Sequence, residues 1–163
     1  MLQTVSAHSL SFSAISGEDL PLEQFAGKLL LVVNTASKCG FTPQYQGLEA
    51  LHRREERQGL VILGVPSNSF GRQEPGTEEQ IQSFCSTRYQ VSFPMTAKVD
   101  VTGKDAHPFY DWIRARAGWR GAPRWNFYKY LISPDGDLIE WFSPMTKPLS
   151  AKLARAIQRN RPR

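Results

Sequence analysis

The chain has 163 residues, of which 40% are hydrophobic and 21% charged, a composition typical of folded globular proteins. This length allows one domain, residues 1–163, to bury a core without help from disulfides or metals. No apolar run is long enough to span a bilayer, and the first seven residues lack the features of a signal peptide. We therefore expect a cytoplasmic protein without stable membrane association.

Positive charge is concentrated at the C-terminus. The net charge is +5, and the segment from position 147 onward holds six basic residues and no acid, which leaves the rest of the chain close to neutral. The run is short and has no interleaved aromatic residues, so a solvated face of a terminal helix is favoured over nucleic-acid or membrane binding. This helix is predicted over residues 150–160. The residues expected to pack inward are Leu149, Leu153 and Ile157.

Two short apolar runs predict the central strands. Residues 29–34 (LLLVVN) and 59–65 (GLVILGV) show no alternation, as in strands covered on both faces. Residues 43–57 between them have a helical pattern, with Thr42 as the expected N-cap. The apolar face of this helix comprises Tyr45, Leu48 and Leu51. The order strand, helix, strand predicts a parallel pair with a right-handed crossover.

Capping and turn signals predict the other elements. Thr77 and Gln80 form a capping-box pattern that starts a helix over residues 77–89, and a further helix is expected over residues 107–117. The inner face of the first of these helices holds Ile81, Phe84 and Cys85.

Two hairpins are also predicted. The strands at 127–133 and 137–142 flank the turn sequence Pro134-Asp135-Gly136 and should pair antiparallel. Residues 9–15 and the turn near Gly17 predict an additional edge hairpin at the N-terminus. The chain is therefore expected to form one α/β domain with a mixed sheet.

Cys39 and Cys85 are the two cysteines, too few for a disulfide framework. The three histidines have none of the spacings of metal-binding motifs, so no metal site is expected. Cys39 lies between a central strand and a helix N-terminus, and Lys38 is beside it. The cation and the helix dipole both favour the thiolate, which favours a reactive cysteine over an inert buried one.

Four short sequence segments occur in a fixed order. They are NTASKCGFTPQY at 34–45, GLVILGVPSNSFGRQEPG at 59–76, WNF at 125–127 and TKP at 146–148. This ordered set resembles the glutathione peroxidase family over nearly the whole chain. The resemblance implies a thioredoxin-like α/β fold, with a mixed central sheet flanked by helices and an N-terminal β-hairpin. It also implies a peroxidase that requires no metal or organic cofactor.

The resemblance makes Cys39 the peroxidatic residue and places Gln73, Trp125 and Asn126 around its sulfur as a catalytic tetrad. Gln73 and Asn126 offer amide donors, and Trp125 offers an indole N–H. Donors aimed at one point can stabilise a thiolate and then the departing oxygen of a peroxide. Taken alone, Asn126 could simply form a turn, Gln73 could lie on the surface and Trp125 could pack in the core. The three together favour the catalytic role.

The chain departs from the family in one loop. Family members often have PCNQF where this chain has PSNSF at 66–70. Ser67 cannot act as a thiol, and Ser69 removes a bulky amide near the site. Because Gly71 and the run Gln73-Glu74-Pro75-Gly76 keep the family pattern around Arg72, we expect the loop itself to be kept.

Cys85 matches the resolving cysteine of those family members that use thioredoxin in preference to glutathione. The resemblance therefore implies a Cys39–Cys85 disulfide, recycled by thioredoxin or by glutathione. It also implies that the helix carrying Cys85 loosens first, because two cysteines bridge only when their Cα atoms come within about 7 Å. A core cysteine that only packs beneath the sheet is the alternative.

The segment 111–125 is short, which resembles monomeric family members with an open site that accepts bulky lipid hydroperoxides as well as hydrogen peroxide. Phe41, Phe70 and Trp125 could supply an apolar rim.

A second hypothesis is a peroxide sensor or redox relay that passes its oxidation to a partner protein. A dithiol reductase is disfavoured, because no second cysteine stands three positions after Cys39.

Overall fold

The first elements form a small hairpin of their own. The computed structural model describes residues 5–162, and in it β1 (Ser11–Ser13) and β2 (Asp19–Pro21) pair antiparallel as a two-stranded sheet. The predicted N-terminal hairpin is confirmed. It forms a sheet of its own and is connected to the central sheet through isolated bridges at Ala14–Thr96 and Met95–Gly64. His107 fastens the hairpin to the next layer, since its ring stacks on Phe12 with centroids 4.0 Å apart and its Nε2 donates to Ser11 O at 3.0 Å.

The predicted strand–helix–strand unit is confirmed. β3 (Leu29–Thr35) and β4 (Leu60–Pro66) are buried at every position and pair in parallel. α1 (Gln44–Glu55) connects them, and its predicted apolar face is fully buried. The expectation that Thr42 caps α1 is wrong. Pro43 occupies the cap position without a side-chain hydrogen bond, because the Thr42 hydroxyl is engaged in the preceding loop.

The second hairpin completes a four-stranded mixed sheet in the order β4-β3-β5-β6. β5 (Lys129–Ile132) and β6 (Leu138–Phe142) are antiparallel as predicted, and β5 also pairs antiparallel with β3. The first strand begins two residues later than expected. Phe127 has φ +68°, a left-handed conformation that a strand cannot contain.

The helix that carries Cys85 changes type along its length. α2 (Glu78–Phe84) begins with the predicted capping box, in which the Thr77 and Gln80 side chains each accept the other's backbone N–H. At Cys85 the helix passes into a π-helical segment, Cys85–Tyr89. The predicted helix over 77–89 is therefore correct in extent, but it is not α-helical throughout.

The remaining helices close the two faces of the sheet. α3 (Pro108–Gly121) is capped by His107, and Gly118 at φ +70° interrupts it just after the predicted end. α4 (Ala151–Asn160) is capped by Ser150, as the prediction over residues 150–160 requires. Short 3₁₀ turns lie at Ala7–Ser9, Leu22–Phe25 and Glu56–Gln58.

The alternation of buried side chains along β3 divides the core into two clusters. Leu29, Leu31 and Val33 pack with the helical layer of α1, α2 and α4, whereas Leu30 and Val32 pack with α3 and the N-terminal hairpin. Leu153 and Ile157 face inward as expected. The expectation for Leu149 is wrong, because it precedes the helix and its side chain is 49% exposed. Within residues 5–162, no helix has the length and apolar character required to cross a membrane.

Candidate active site

Cys39 lies in the loop that joins the end of β3 to the start of α1. It is a free thiol, and only 7% of the residue is exposed. The Cys39 N–H donates to Thr42 Oγ1 at 2.9 Å, and the Thr42 hydroxyl donates to Ala36 O at 2.8 Å. The Phe41 N–H points at Cys39 Sγ from 3.4 Å. The Thr42 hydroxyl thus fixes the loop. The Phe41 N–H is positioned to stabilise negative charge on the sulfur.

The loop after β4 brings Gln73 beside the Cys39 loop. The Lys38 N–H donates to Gln73 O at 3.0 Å, which joins the two loops directly at the residue before Cys39. Asn68 stabilises the turn from within, because its Oδ1 accepts the Glu74 N–H at 3.0 Å.

The two serines that depart from the family pattern also hold this loop. The Ser67 hydroxyl is buried and donates to Ser69 Oγ at 3.0 Å. Ser69 Oγ in turn accepts the Val101 N–H at 3.1 Å. The small side chains at these positions therefore tie the loop to the segment that precedes α3.

Asn34 holds the turn formed by Trp125, Asn126 and Phe127. Its side-chain amide donates to Trp125 O at 2.9 Å, and its backbone carbonyl accepts the Phe127 N–H at 2.6 Å. Asn34 is completely buried near the end of β3. From the sequence, Asn34 stands out only as part of the segment at 34–45. Its position as the polar residue of a buried apolar strand was the signal that it has a specific partner.

Gln73 and Asn126 meet across the site. The Asn126 side-chain amide donates to Gln73 Oε1 at 2.9 Å. Because Gln73 Oε1 is the acceptor, the amide group of Gln73 is left to donate elsewhere. Asn126 Oδ1 is buried without a hydrogen-bond partner. The Gln73 amide therefore remains available to donate to a departing oxygen, whereas Asn126 Oδ1 can only accept.

Trp125 packs against the same loop as Gln73. Its ring centroid lies 5.9 Å from that of Phe70, and a Cβ at Gly71 would lie 3.2 Å from Trp125 Cη2. Gly71 also has φ +63°, so glycine suits this position for two reasons. Within residues 5–162, none of the side chains of Gln73, Trp125 and Asn126 donates a hydrogen bond to Cys39 Sγ. The structure joins Gln73 to the Cys39 loop through the Lys38 N–H and joins Asn126 to Gln73.

Cys85 is a buried thiol at the junction of α2 and the π-helical segment. It is 2% exposed and belongs to the same apolar cluster as Cys39. Burial raises the pKa of Cys85 to about 11, a rise that the Tyr45 hydroxyl opposes and the Glu74 carboxylate increases. At neutral pH the Cys85 thiol is therefore protonated and a poor nucleophile while it stays buried. Short π-helical segments are rare in proteins overall, but those that occur are often found at functional sites.

Glu74 is a second buried group that the sequence interpretation did not single out. Its residue is 1% exposed, and Glu74 Oε2 lacks a hydrogen-bond partner. Burial raises the pKa of its carboxyl group, although the polar groups of Ser37 and the charges of Lys98 and Lys38 act in the opposite direction. Its position inside the GRQEPG segment was the sequence feature from which Glu74 could have been identified.

Comparison with known proteins identifies the family. Residues 7–114 match the model of the family described as glutathione peroxidase. The Saccharomyces cerevisiae glutathione peroxidase-like peroxiredoxin 2 is 44% identical over 151 residues, which cover 90% of this chain and 93% of that protein. The Synechocystis hydroperoxy fatty acid reductase gpx1 is 43% identical over 149 residues, or 86% and 88% of the two chains.

A solved structure supports the fold independently. A thioredoxin family protein from Chlorobium tepidum superposes with a TM-score of 0.69 over 96% of this chain and 95% of that one. At 15% identity this likeness concerns the fold alone, and it confirms the thioredoxin-like α/β class. The family match and the two relatives show that the chain belongs to the glutathione peroxidase family.

Proposed function

We propose that this thiol peroxidase reduces hydrogen peroxide and organic hydroperoxides at Cys39, with Gln73, Trp125 and Asn126 as the other members of the tetrad. The observation that carries the proposal is the 2.9 Å hydrogen bond between Asn126 and Gln73, next to the loop that holds Cys39. The link from the Lys38 N–H to Gln73 O supports it, because it fixes Gln73 relative to the nucleophile.

In the oxidation step the Cys39 thiolate attacks the terminal oxygen of the peroxide, and the O–O bond breaks. The sulfur becomes a sulfenic acid, and the departing oxygen takes a proton and leaves as an alcohol or water. The N–H groups of Gln73, Trp125 and Asn126 stabilise the charge on that oxygen, since preorganised donors act most strongly where charge develops. Such contacts often tighten only when substrate is bound.

In the resolving step the Cys85 thiol attacks the Cys39 sulfenic acid, which releases water and leaves a disulfide. The buried position of Cys85 supports a cycle in which the segment Cys85–Tyr89 opens before the reaction. An external dithiol then reduces the disulfide by exchange. We infer that thioredoxin is this reductant, with glutathione as the alternative.

The surface next to Cys39 supports substrates larger than hydrogen peroxide. A groove of about 380 Å³ runs from Gly40 and Phe41 to Met145 and Leu149, whose side chains are 77% and 49% exposed. Phe41, Phe70 and Trp125 are half-buried around the site, in line with the predicted apolar rim. Since one relative is named a hydroperoxy fatty acid reductase, we extend the proposal to lipid hydroperoxides.

We further infer a cytoplasmic monomer whose single peroxidase domain covers residues 1–163 and works without a cofactor. The short segment 111–125 supports the monomer, because it resembles the monomeric members of the family. Size-exclusion chromatography with light scattering tests this inference.

The decisive experiment is peroxide turnover coupled to NADPH, with thioredoxin and thioredoxin reductase in one arm and glutathione with its reductase in the other. Turnover with thioredoxin is expected to exceed that with glutathione. Turnover with glutathione alone would point to a mechanism in which Cys85 takes no part. Failure of the reduced protein to consume even one equivalent of peroxide would refute the peroxidase assignment to Cys39.

A further inference from the structure

Lys129 is a buried lysine that the mechanism above does not use. It is the first residue of β5, between Val33 of β3 and Phe142 of β6, and it is completely buried. It forms no ion pair with any of residues 5–162. Burial lowers the pKa of its amine to about 7. Burial of a lysine in an apolar core without a carboxylate partner is unfavourable unless another contact compensates for it.

The contact that Lys129 makes is to the turn that carries Asn126. Its Nζ donates to Phe127 O at 2.9 Å, and this hydrogen bond is buried. Phe127 has φ +68°, which orients its peptide groups away from a regular strand geometry. Conformations of this kind persist only where surrounding contacts fix them.

Three hydrogen bonds fix the main chain on both sides of Asn126. Asn34 binds Trp125 O before it and the Phe127 N–H after it, and Lys129 binds Phe127 O. The Asn126 side chain projects from this turn to Gln73 Oε1. A shift of the turn would therefore move the Asn126 amide relative to Gln73.

We propose that Lys129 is a positioning residue, which holds the Asn126 amide in place for peroxide reduction through its hydrogen bond to Phe127 O. The inference rests on the proposed function of the tetrad. The side chain of lysine suits this task, because its stem packs among apolar residues and its amine keeps N–H donors whether or not it is charged.

The test compares Lys129→Met, which keeps the stem but removes the donor, with Tyr130→Phe as the matched control. Tyr130 is the next residue of β5, and its buried hydroxyl donates to Gly121 O at 2.7 Å on the opposite face of the sheet. The rate constant for Cys39 oxidation by hydrogen peroxide is measured by stopped flow. We expect Lys129→Met to slow it about tenfold and Tyr130→Phe to leave it within twofold.

A double-mutant cycle separates positioning from a general loss of structure. If Lys129 acts through Asn126, Lys129→Met should slow oxidation no further in an Asn126→Ala background. Reduction of the oxidised enzyme by thioredoxin should stay within twofold in both backgrounds. An equal slowing with and without Asn126, or no slowing in the wild-type background, would overturn the proposal.

A second readout does not depend on turnover. The side-chain amide resonances of Asn126, identified by their loss in Asn126→Ala, should shift in the NMR spectrum of Lys129→Met and stay in place in Tyr130→Phe. If the wild type does not react with peroxide, the proposed function fails and this readout still tests the contact. If Lys129→Met does not fold, Lys129→Gln keeps a donor on a shorter stem and should show the same dependence on Asn126 with a smaller effect.

Discussion

The Asn126 side-chain amide donates to Gln73 Oε1 at 2.9 Å, a hydrogen bond between residues 53 positions apart. The bond joins the loop after β4 to the turn before β5, and it leaves the Gln73 amide group as a donor. The two residues should therefore act as a unit and not as two independent contributors.

We predict that Gln73→Ala and Asn126→Ala each slow oxidation of Cys39 by about 100-fold, the usual order for loss of one preorganised donor. The double variant should be far less impaired than the product of the two effects, because each change already breaks the shared hydrogen bond. Stopped-flow measurement of Cys39 oxidation checks this, with Gln46→Ala, at an exposed position on α1, as the control. Unchanged rates in both single variants would refute the tetrad.

Replacement of Cys39 by serine should abolish peroxide consumption without loss of the fold, because a hydroxyl group lacks thiolate nucleophilicity at neutral pH. Steady-state turnover and the circular dichroism spectrum check the two parts. The matched Cys85→Ser variant retains Cys39 and should still consume one equivalent of peroxide. Residual turnover by Cys39→Ser beyond a trace would show that another residue is the nucleophile.

Cys85→Ser should also lose turnover with thioredoxin and stop at the sulfenic acid, or proceed to the sulfinic acid with excess peroxide. In the wild type, one equivalent of peroxide should produce a Cys39–Cys85 disulfide that mass spectrometry detects. Because burial raises the pKa of Cys85 to about 11, closure requires the thiol to reach solvent first. Hydrogen exchange in Cys85–Tyr89 should therefore increase on oxidation. Full thioredoxin-dependent turnover by Cys85→Ser would assign Cys85 to packing alone.

Thr42→Val should destabilise the protein by about 1–3 kcal/mol, because it leaves the buried Cys39 N–H and Ala36 carbonyl without their hydroxyl partner. It should also slow oxidation of Cys39, since the loop that holds this residue loses its internal hydrogen bonds. Thr42→Ser keeps the hydroxyl and is the control. Urea denaturation and stopped-flow oxidation provide the two measurements, and a Thr42→Val variant equal to Thr42→Ser in both would contradict the role of this contact.

Lys129 should make stability depend on pH in a defined window. Its pKa is about 7 in the folded chain and about 10.4 when unfolded, so folding releases a proton between these values. Stability therefore rises with pH above 7, by roughly 1–2 kcal/mol up to pH 8.5. Urea denaturation of the wild type against Lys129→Met checks this, because other titrating groups, including Cys85, are common to both. Parallel pH profiles of the two proteins would show that Lys129 does not titrate in this range.

Much of the fold was accessible from local patterns. The uninterrupted apolar runs of β3 and β4, the capping box at Thr77 and the turn at Gly136 each reflect interactions among residues close in sequence. The expected helix cap at Thr42 was wrong because of competition with a loop contact. Thr42 has the chemistry of a helix cap, but its hydroxyl binds Cys39 N and Ala36 O instead.

For the site, the sequence by itself determined which chemical groups are present, because the segments around Cys39, Gln73 and Trp125 resemble one family in order and type. Only the tertiary structure decided what holds those groups. Asn34 and Trp125 are 91 positions apart, and Asn126 and Gln73 are 53 apart, so no local propensity encodes their hydrogen bonds. The role of Lys129 likewise appears only in the folded chain, where β5 is buried. A buried amine without an ion-pair partner needs a hydrogen-bond acceptor, and the carbonyl group of Phe127 is that acceptor.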